Sequence, residues 1–197
     1  MKNKKILSLI LAFVMMFSTV PTIFAGAAAA IGSDAKTISA IGVLSGDSAA
    51  GVTEEYLAKE TTRLQAAIMY LRLQGKEEKA LAYTGTANFK DAGTITWAGG
   101  RAVMAYLKAN PQLGWIGENG KFNPSDKITV KQYYKVMLEA LGYKQTTAEE
   151  DGDFEWKDVI SFAKSKGLDN LSENISFKNN DLAIATVEAL KAKVKGN

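Results

Sequence analysis

The chain contains neither cysteine nor histidine. Without cysteine there is no disulfide, so stability outside a cell has to come from packing. Thiolate and imidazole chemistry are both excluded, and the usual zinc sites go with them. Ser45 and Ser161 have no histidine to activate them as nucleophiles. Proline is scarce, at three residues in 197. Two of these mark boundaries: Pro21 ends an apolar run, and Asn123-Pro124 holds the chain outside a helix. Charge of one sign is also in short supply. The 24 basic and 21 acidic residues give a formal charge of +3. Three of the lysines, Lys2, Lys4 and Lys5, sit at the extreme N-terminus, where there is no acid. Beyond them the chain is close to neutral, and no basic patch argues for nucleic acid or an anionic membrane.

Those lysines belong to an export signal. They precede a largely apolar run from Ile6 to Val20, Pro21 interrupts it, and Ala25-Gly26-Ala27 fits a small-residue cleavage site. The run is shorter than the roughly 20 residues a membrane span needs. Residues 1–27 are therefore expected to be a secretory signal peptide. The rest is expected to be exported, with no membrane span after cleavage. About 170 residues remain, enough for one core or a few small units.

What is present is a repeat, and its clearest copy runs from Gly117 to Gly142. Asn119-Gly120 is a turn dipeptide whose residues both tolerate positive φ. Thr129 can cap a helix, with Gln132 as reciprocal partner in a capping box. Tyr133, Tyr134, Met137, Leu138 and Leu141 then share one face, and Gly142 stops the helix. Superposing Thr62 on Thr129 puts Ala66, Ala67, Tyr70, Leu71 and Gln74 on the equivalent face, closed by Gly75. A third copy places Leu182, Ala183, Thr186, Val187 and Leu190 at the same offsets.

A helical stretch precedes each of these helices. Arg101 to Ala109 carries Val103, Met104 and Leu107 on one side. Trp156, Val159, Ile160 and Ala163 follow i, i+3, i+4, i+7 spacing, which makes Trp156 a core residue, and Gly167 closes the run. The first unit keeps only a tail, Thr37 to Leu44. Gly75–Asn88 and Tyr143–Asp153 read as connectors, the second polar and solvated. Little alternates with period two, apart from a short extended piece near Phe122 or Ile175. The fold class expected is all-α: three helix–turn–helix modules, each a small hairpin, packed on one another around a shared axis. The modules span residues 28–75, 83–143 and 150–195.

The middle unit resembles an S-layer homology module. Such modules open with Phe-x-Asp and a Trp, turn through Gly-x-x-Asp-Gly-x-Phe-x-Pro, and start a second helix with Ile-Thr-Arg-Ala-Glu. The matching stretches are Phe89-Lys90-Asp91, Trp97, Gly117-Glu118-Asn119-Gly120-Lys121-Phe122-Asn123-Pro124, and Ile128-Thr129-Val130-Lys131-Gln132. Unit one offers Ile41 to Asp47 and Thr62-Arg63-Leu64-Gln65, and unit three is degenerate. The resemblance implies a pseudo-threefold helical bundle with grooves between units. It implies noncovalent anchoring of an exported protein through secondary cell-wall polysaccharide, often pyruvylated, linked to peptidoglycan. In the family the arginine of the Thr-Arg-Ala-Glu motif is a key contact to that glycan, a role that falls on Arg63 here. Val130 occupies its place in unit two, with Lys131 beside it, and Asn179 occupies it in unit three. One good groove, one doubtful and one dead are expected.

Chemistry supports Arg63, because a guanidinium fork matches a carboxylate in two parallel hydrogen bonds. The other polysaccharide-binding candidates are Lys131, Thr62, Gln65, Trp97, Trp115 and Gly117. The two threonines and two glutamines of the boxes serve the helix ends first. Trp97 and Trp115 offer flat apolar faces with an N–H donor to a sugar, and Gly117 opens the turn that Trp115 abuts. No catalytic residue, metal or cofactor is expected. Asp151-Gly152-Asp153 is too short for a calcium loop, and Gly99-Gly100 lacks the setting of a phosphate loop. Glu149, Glu150 and Asp151 form a solvated run rather than the paired acids of a glycosidase. The competing expectation is a surface assembly protein whose modules bind another surface or S-layer protein instead of glycan.

Overall fold

A computed structural model describes residues 31–196, so the predicted signal peptide lies outside the described residues. Eight α-helices follow in chain order: α1 Ser33–Ala40, α2 Glu54–Ala58, α3 Arg63–Leu73, α4 Glu77–Leu81, α5 Ala98–Ala109, α6 Val130–Ala140, α7 Val159–Ser165 and α8 Asn179–Lys191. Short 3₁₀ turns cover Ala92–Thr94, Pro111–Leu113 and Trp156–Asp158. Among the described residues extended pairing is confined to isolated bridges, one of them beside Phe122. The chain is all-α.

The repeat register is visible in where the long helices begin. Helices α3, α6 and α8 start at Arg63, Val130 and Asn179, the three positions that the sequence repeat superposes. The first two are closed by full capping boxes. Thr62 and Thr129 accept from the amides of Gln65 and Gln132, and those glutamines accept the threonine amides in return. Each such cap is worth about 1 kcal/mol. At the third start Lys178 has no acceptor to offer. Only the return half survives, from the Lys178 amide to the Asp181 carboxylate at 2.9 Å.

The residues leading into these helices tie the units together. Thr61 N donates to Phe177 O and Asn179 N to Lys59 O, which bridges units one and three. Ile128 N donates to Thr61 O, which bridges units one and two. The first unit's lead thus lies between the other two.

Helix packing departs from three self-contained hairpins. Helix α5 packs on α4 of the connector and on α3 of the preceding unit, α7 on α6 of the second unit, and α1 on α8 of the last unit. Each opening helix takes its main partner from a neighbour, because no single unit presents enough apolar surface to bury its own face. The faces named by the repeat supply the core: Ala66, Ala67, Tyr70, Leu71, Tyr133, Tyr134, Met137, Leu138, Leu141, Leu182, Ala183, Thr186 and Val187 are all buried. Two buried tyrosine hydroxyls are paired, Tyr133 with Thr186 at 2.8 Å and Tyr134 with Glu188 at 2.7 Å. Burial pushes both tyrosines above their ordinary pKa.

One connector is partly helical, and one expectation needs correction. The connector from Gly75 to Asn88 contains helix α4, whose start is fixed by Glu77 pairing with Arg72 at 2.8 Å. Trp156 is not core: it is 44% exposed. It opens a 3₁₀ turn, so the helical spacing that put it on the inner face does not apply until Val159.

Candidate anion-binding groove

The middle unit's turn builds one wall of a groove. Asn119 and Gly120 both have positive φ, and Glu118 and Lys121 exchange backbone hydrogen bonds at 2.9 and 2.8 Å across them. That is a two-residue hairpin of the primed type. Gly117 also has positive φ, and a Cβ there would lie 2.4 Å from the carbonyl oxygen of Lys121. Asp91, the acid of Phe-x-Asp, reaches across from the unit's opening. Its two oxygens accept the amides of Phe122 and Asn123 at 2.9 and 2.7 Å. The Phe122 ring is thereby held in the core against Phe89 and Trp115.

This turn also closes the start of α3. The first amides of a helix have no partner within it. Here the amide of Arg63 donates to Asp126 O at 2.8 Å and that of Leu64 to Pro124 O at 3.1 Å. The backbone of Arg63 is therefore fixed against the neighbouring unit.

The side chain of Arg63 is held differently. Its guanidinium carbon sits 5.1 Å from the centroid of Phe122 and 5.6 Å from that of Trp115, close enough for cation–π attraction to both. Among the described residues it makes no hydrogen bond and no ion pair, and its Nε is buried without a partner. The chain's other two arginines each have partners. Arg72 pairs with Glu77 and also bonds to Ser45, and Arg101 donates to the carbonyls of Ile95 and Thr96. Burial holds the Arg63 pKa below its ordinary value, and the fields of Asp126 and Glu118 oppose that shift. The group stays charged, so an unpaired cation faces the groove.

The groove has a volume of about 400 Å³ and draws on all three units. Arg63 comes from unit one; Gly117, Phe122, Gln132 and Lys135 from unit two; Gln145 from the connector that follows it; and Trp156 from unit three. Trp156 and Ile116, which is 55% exposed, give it two apolar surfaces. Lys135 is buried, bonded to Glu139 at 2.9 Å and to Gly114 O at 3.0 Å. Glu139 Oε2 has no partner. Burial raises the Glu139 pKa, and Lys135 partly offsets this. The cations lining the groove are Arg63, Lys127 and Lys135, against the carboxylates Glu118 and Asp126.

The remaining sequence candidates are dispersed. Thr62 and Gln65 are engaged with each other in the capping box. Lys131 pairs with Glu173 at 3.4 Å and lies over the Trp156 ring at 5.4 Å. Trp115 is 1% exposed and forms the floor beneath Arg63, with an unpartnered Nε1. Trp97 is 52% exposed and lies outside the groove. Gly117 is in the groove wall. The arginine-equivalent residues face inward: Val130 is buried, and Asn179 is buried between units one and three. Its amide nitrogen donates to Tyr56 O at 2.9 Å, and its oxygen accepts from Thr61 Oγ1 at 2.7 Å. A larger, more open hollow of about 640 Å³ lies beside that junction and contains no arginine or tryptophan.

Sequence reasoning missed Glu118, Asp126, Lys135 and Trp156 as groove residues. The spacing of Lys135 and Glu139 is a visible i, i+4 pair, but nothing in the sequence says that it is buried under a neighbouring glycine.

No protein-family model matches the chain. It does resemble a surface protein. The chain is 29% identical over 202 aligned residues to a cell surface protein of Thermoanaerobacter kivui, a match covering 97% of this chain and 25% of that protein. The chain thus spans about a quarter of the length of that relative.

Proposed function

We propose that this chain is a cell-surface protein that attaches noncovalently to the bacterial wall, holding an anionic group of a secondary wall polysaccharide in the Arg63 groove. The observation that carries this reading is an arginine with no acceptor of its own, fixed over two aromatic rings at the edge of an open groove. A carboxylate or phosphate would fill the hydrogen-bonding capacity that the protein leaves empty. The cyclic packing of opening helices onto neighbouring units supports a pseudo-threefold bundle, in which such grooves fall between units. The resemblance to a cell surface protein supports a surface location.

The degenerate grooves favour a second reading. Lys131 is already paired, and Asn179 is built into an interface. The exposed faces of Ile116 and Trp156 also suit a protein partner, so the modules could serve surface assembly instead. The test is binding to purified cell walls by wild type and by Arg63→Ala, with free wall polysaccharide as competitor. Anchoring through glycan predicts displacement by the free polymer and binding weakened at least tenfold in the variant, with helical content retained. Undiminished binding by the variant contradicts the site assignment. Binding that the free polymer does not displace supports a protein partner.

A further inference from the structure

The Arg63 groove presents charge of both signs. Two carboxylates, Glu118 and Asp126, line it beside the arginine, and the fields of both favour the charged guanidinium. Neither reaches Arg63 in an ion pair, and among the described residues neither carboxylate has a side-chain hydrogen bond or a cationic partner. The other cations of the groove are engaged: Lys135 pairs with Glu139 at 2.9 Å, and Lys127 turns to Glu60 at 3.9 Å. Three charges are left without a partner, one positive and two negative. The backbone places all three. Glu118 opens the two-residue hairpin, bonded on both sides to Lys121, and Asp126 accepts the Arg63 amide on its own carbonyl at 2.8 Å. The turn that closes α3 therefore also sets these charges around one opening.

Charge balance selects the occupant. A group that is only anionic gains Arg63 but enters beside two carboxylates, and like charges at close range repel. A group that is only cationic gains the carboxylates and meets the guanidinium. A group with both signs satisfies all three, because a primary ammonium has three donors to divide between two carboxylates. A divalent metal needs more oxygen ligands than two side chains supply, and among the described residues no cluster of three or more acids comes together to hold one.

We propose that the groove recognises a dipolar group, an anion with a primary ammonium beside it, in which Arg63 takes the anion and Glu118 and Asp126 take the ammonium. The inference rests on the wall-binding reading and narrows it to wall polymers that carry free amines. Two chemistries present that pair of charges: an amino sugar without its acetyl group next to an acidic substituent, and an aminoacyl ester next to a phosphodiester.

The experiment uses the full chain and purified sacculi in three forms: native, N-acetylated with acetic anhydride, and treated with mild alkali. Acetylation removes the ammonium charge and leaves carboxylates and phosphates in place. Wild type is expected to bind N-acetylated sacculi more weakly than native ones by about fivefold or more. The double variant Glu118→Gln, Asp126→Asn is expected to lose a similar factor on native sacculi and to be indifferent to acetylation. Both residues are exposed, so circular dichroism should show the wild-type fold. The sign of the change is decisive. If the two acids only border an anion site, their removal relieves repulsion and tightens binding. Equal or tighter binding by the double variant overturns the proposal. So does equal binding of wild type to native and acetylated sacculi, or binding that a chelator of divalent cations abolishes. Loss after alkali identifies the aminoacyl ester, which alkali cleaves. Binding that survives alkali but falls on acetylation and on stripping of the secondary polymer identifies the amino sugar. The anion reading fails separately, if Arg63→Ala binds native sacculi as wild type does.

Discussion

Asn179 stands at the repeat position that Arg63 occupies in the first unit, and the structure makes it a clamp between the first and third units. Replacing it with alanine removes two hydrogen bonds and strands the hydroxyl of Thr61, while the carbonyl of Tyr56 keeps the Lys59 amide at 3.2 Å. Thr61 is fully buried, so water cannot substitute. The stranded hydroxyl costs about 1–3 kcal/mol and the lost bond to Tyr56 about 1 kcal/mol more, which puts Asn179→Ala at roughly 2–4 kcal/mol of destabilisation. Against a typical total of about 5–15 kcal/mol that is a large share. Urea unfolding followed by far-ultraviolet circular dichroism should show a lower midpoint at unchanged slope. A partner test sharpens it. Thr61→Val alone should cost about 1–2 kcal/mol by stranding the Asn179 oxygen, and the double variant should fall short of the sum by about 1 kcal/mol or more. Strict additivity, or a loss below about 0.5 kcal/mol for Asn179→Ala, would refute the clamp. Asn179→Arg should not restore a third binding groove, because it would bury a charge in the same interface.

Lys135→Met should destabilise by about 3–5 kcal/mol at neutral pH, because it leaves Glu139 as an uncompensated buried carboxylate. Glu139 already titrates above its ordinary value, so the folded state binds the proton more tightly than the unfolded chain. Stability relative to wild type should therefore fall as pH rises above the ordinary carboxylate range, through the raised pKa of Glu139, and recover on acidification; chemical denaturation across that range measures it, and a pH-independent difference would contradict the assignment. Gly117→Ala should cost about 1–3 kcal/mol through the left-handed φ and the clash with Lys121 O, and should shift Trp115 emission to the red by loosening Phe122. Unchanged stability and emission would remove the turn from the groove's construction.

Much of this architecture was legible in the residues. The Thr–Gln boxes, the Asn119-Gly120 turn and the apolar faces of α3, α6 and α8 are local features, and local chemistry places them. The substitution of Val130 and Asn179 for arginine was also visible. What was not legible depends on neighbours in space. Trp156 follows the helical spacing of a core residue, yet the helix starts three residues later. Trp115 looked like a surface stacker beside a turn, but the Asp91 carboxylate pins that turn inward and carries the ring under Arg63. Lys135 falls among core residues on α6, and its charge is held there by Glu139 and by the carbonyl of Gly114, an approach between elements that no local spacing announces.

The measurement that bears most directly on the central claim is co-sedimentation of the purified protein with cell-wall sacculi, before and after chemical stripping of the secondary polysaccharide. Anchoring through the Arg63 groove predicts strong binding to intact sacculi, a large loss on stripping, and the same loss for Arg63→Ala on unstripped walls. Equal binding before and after stripping, unaffected by Arg63→Ala, would contradict it.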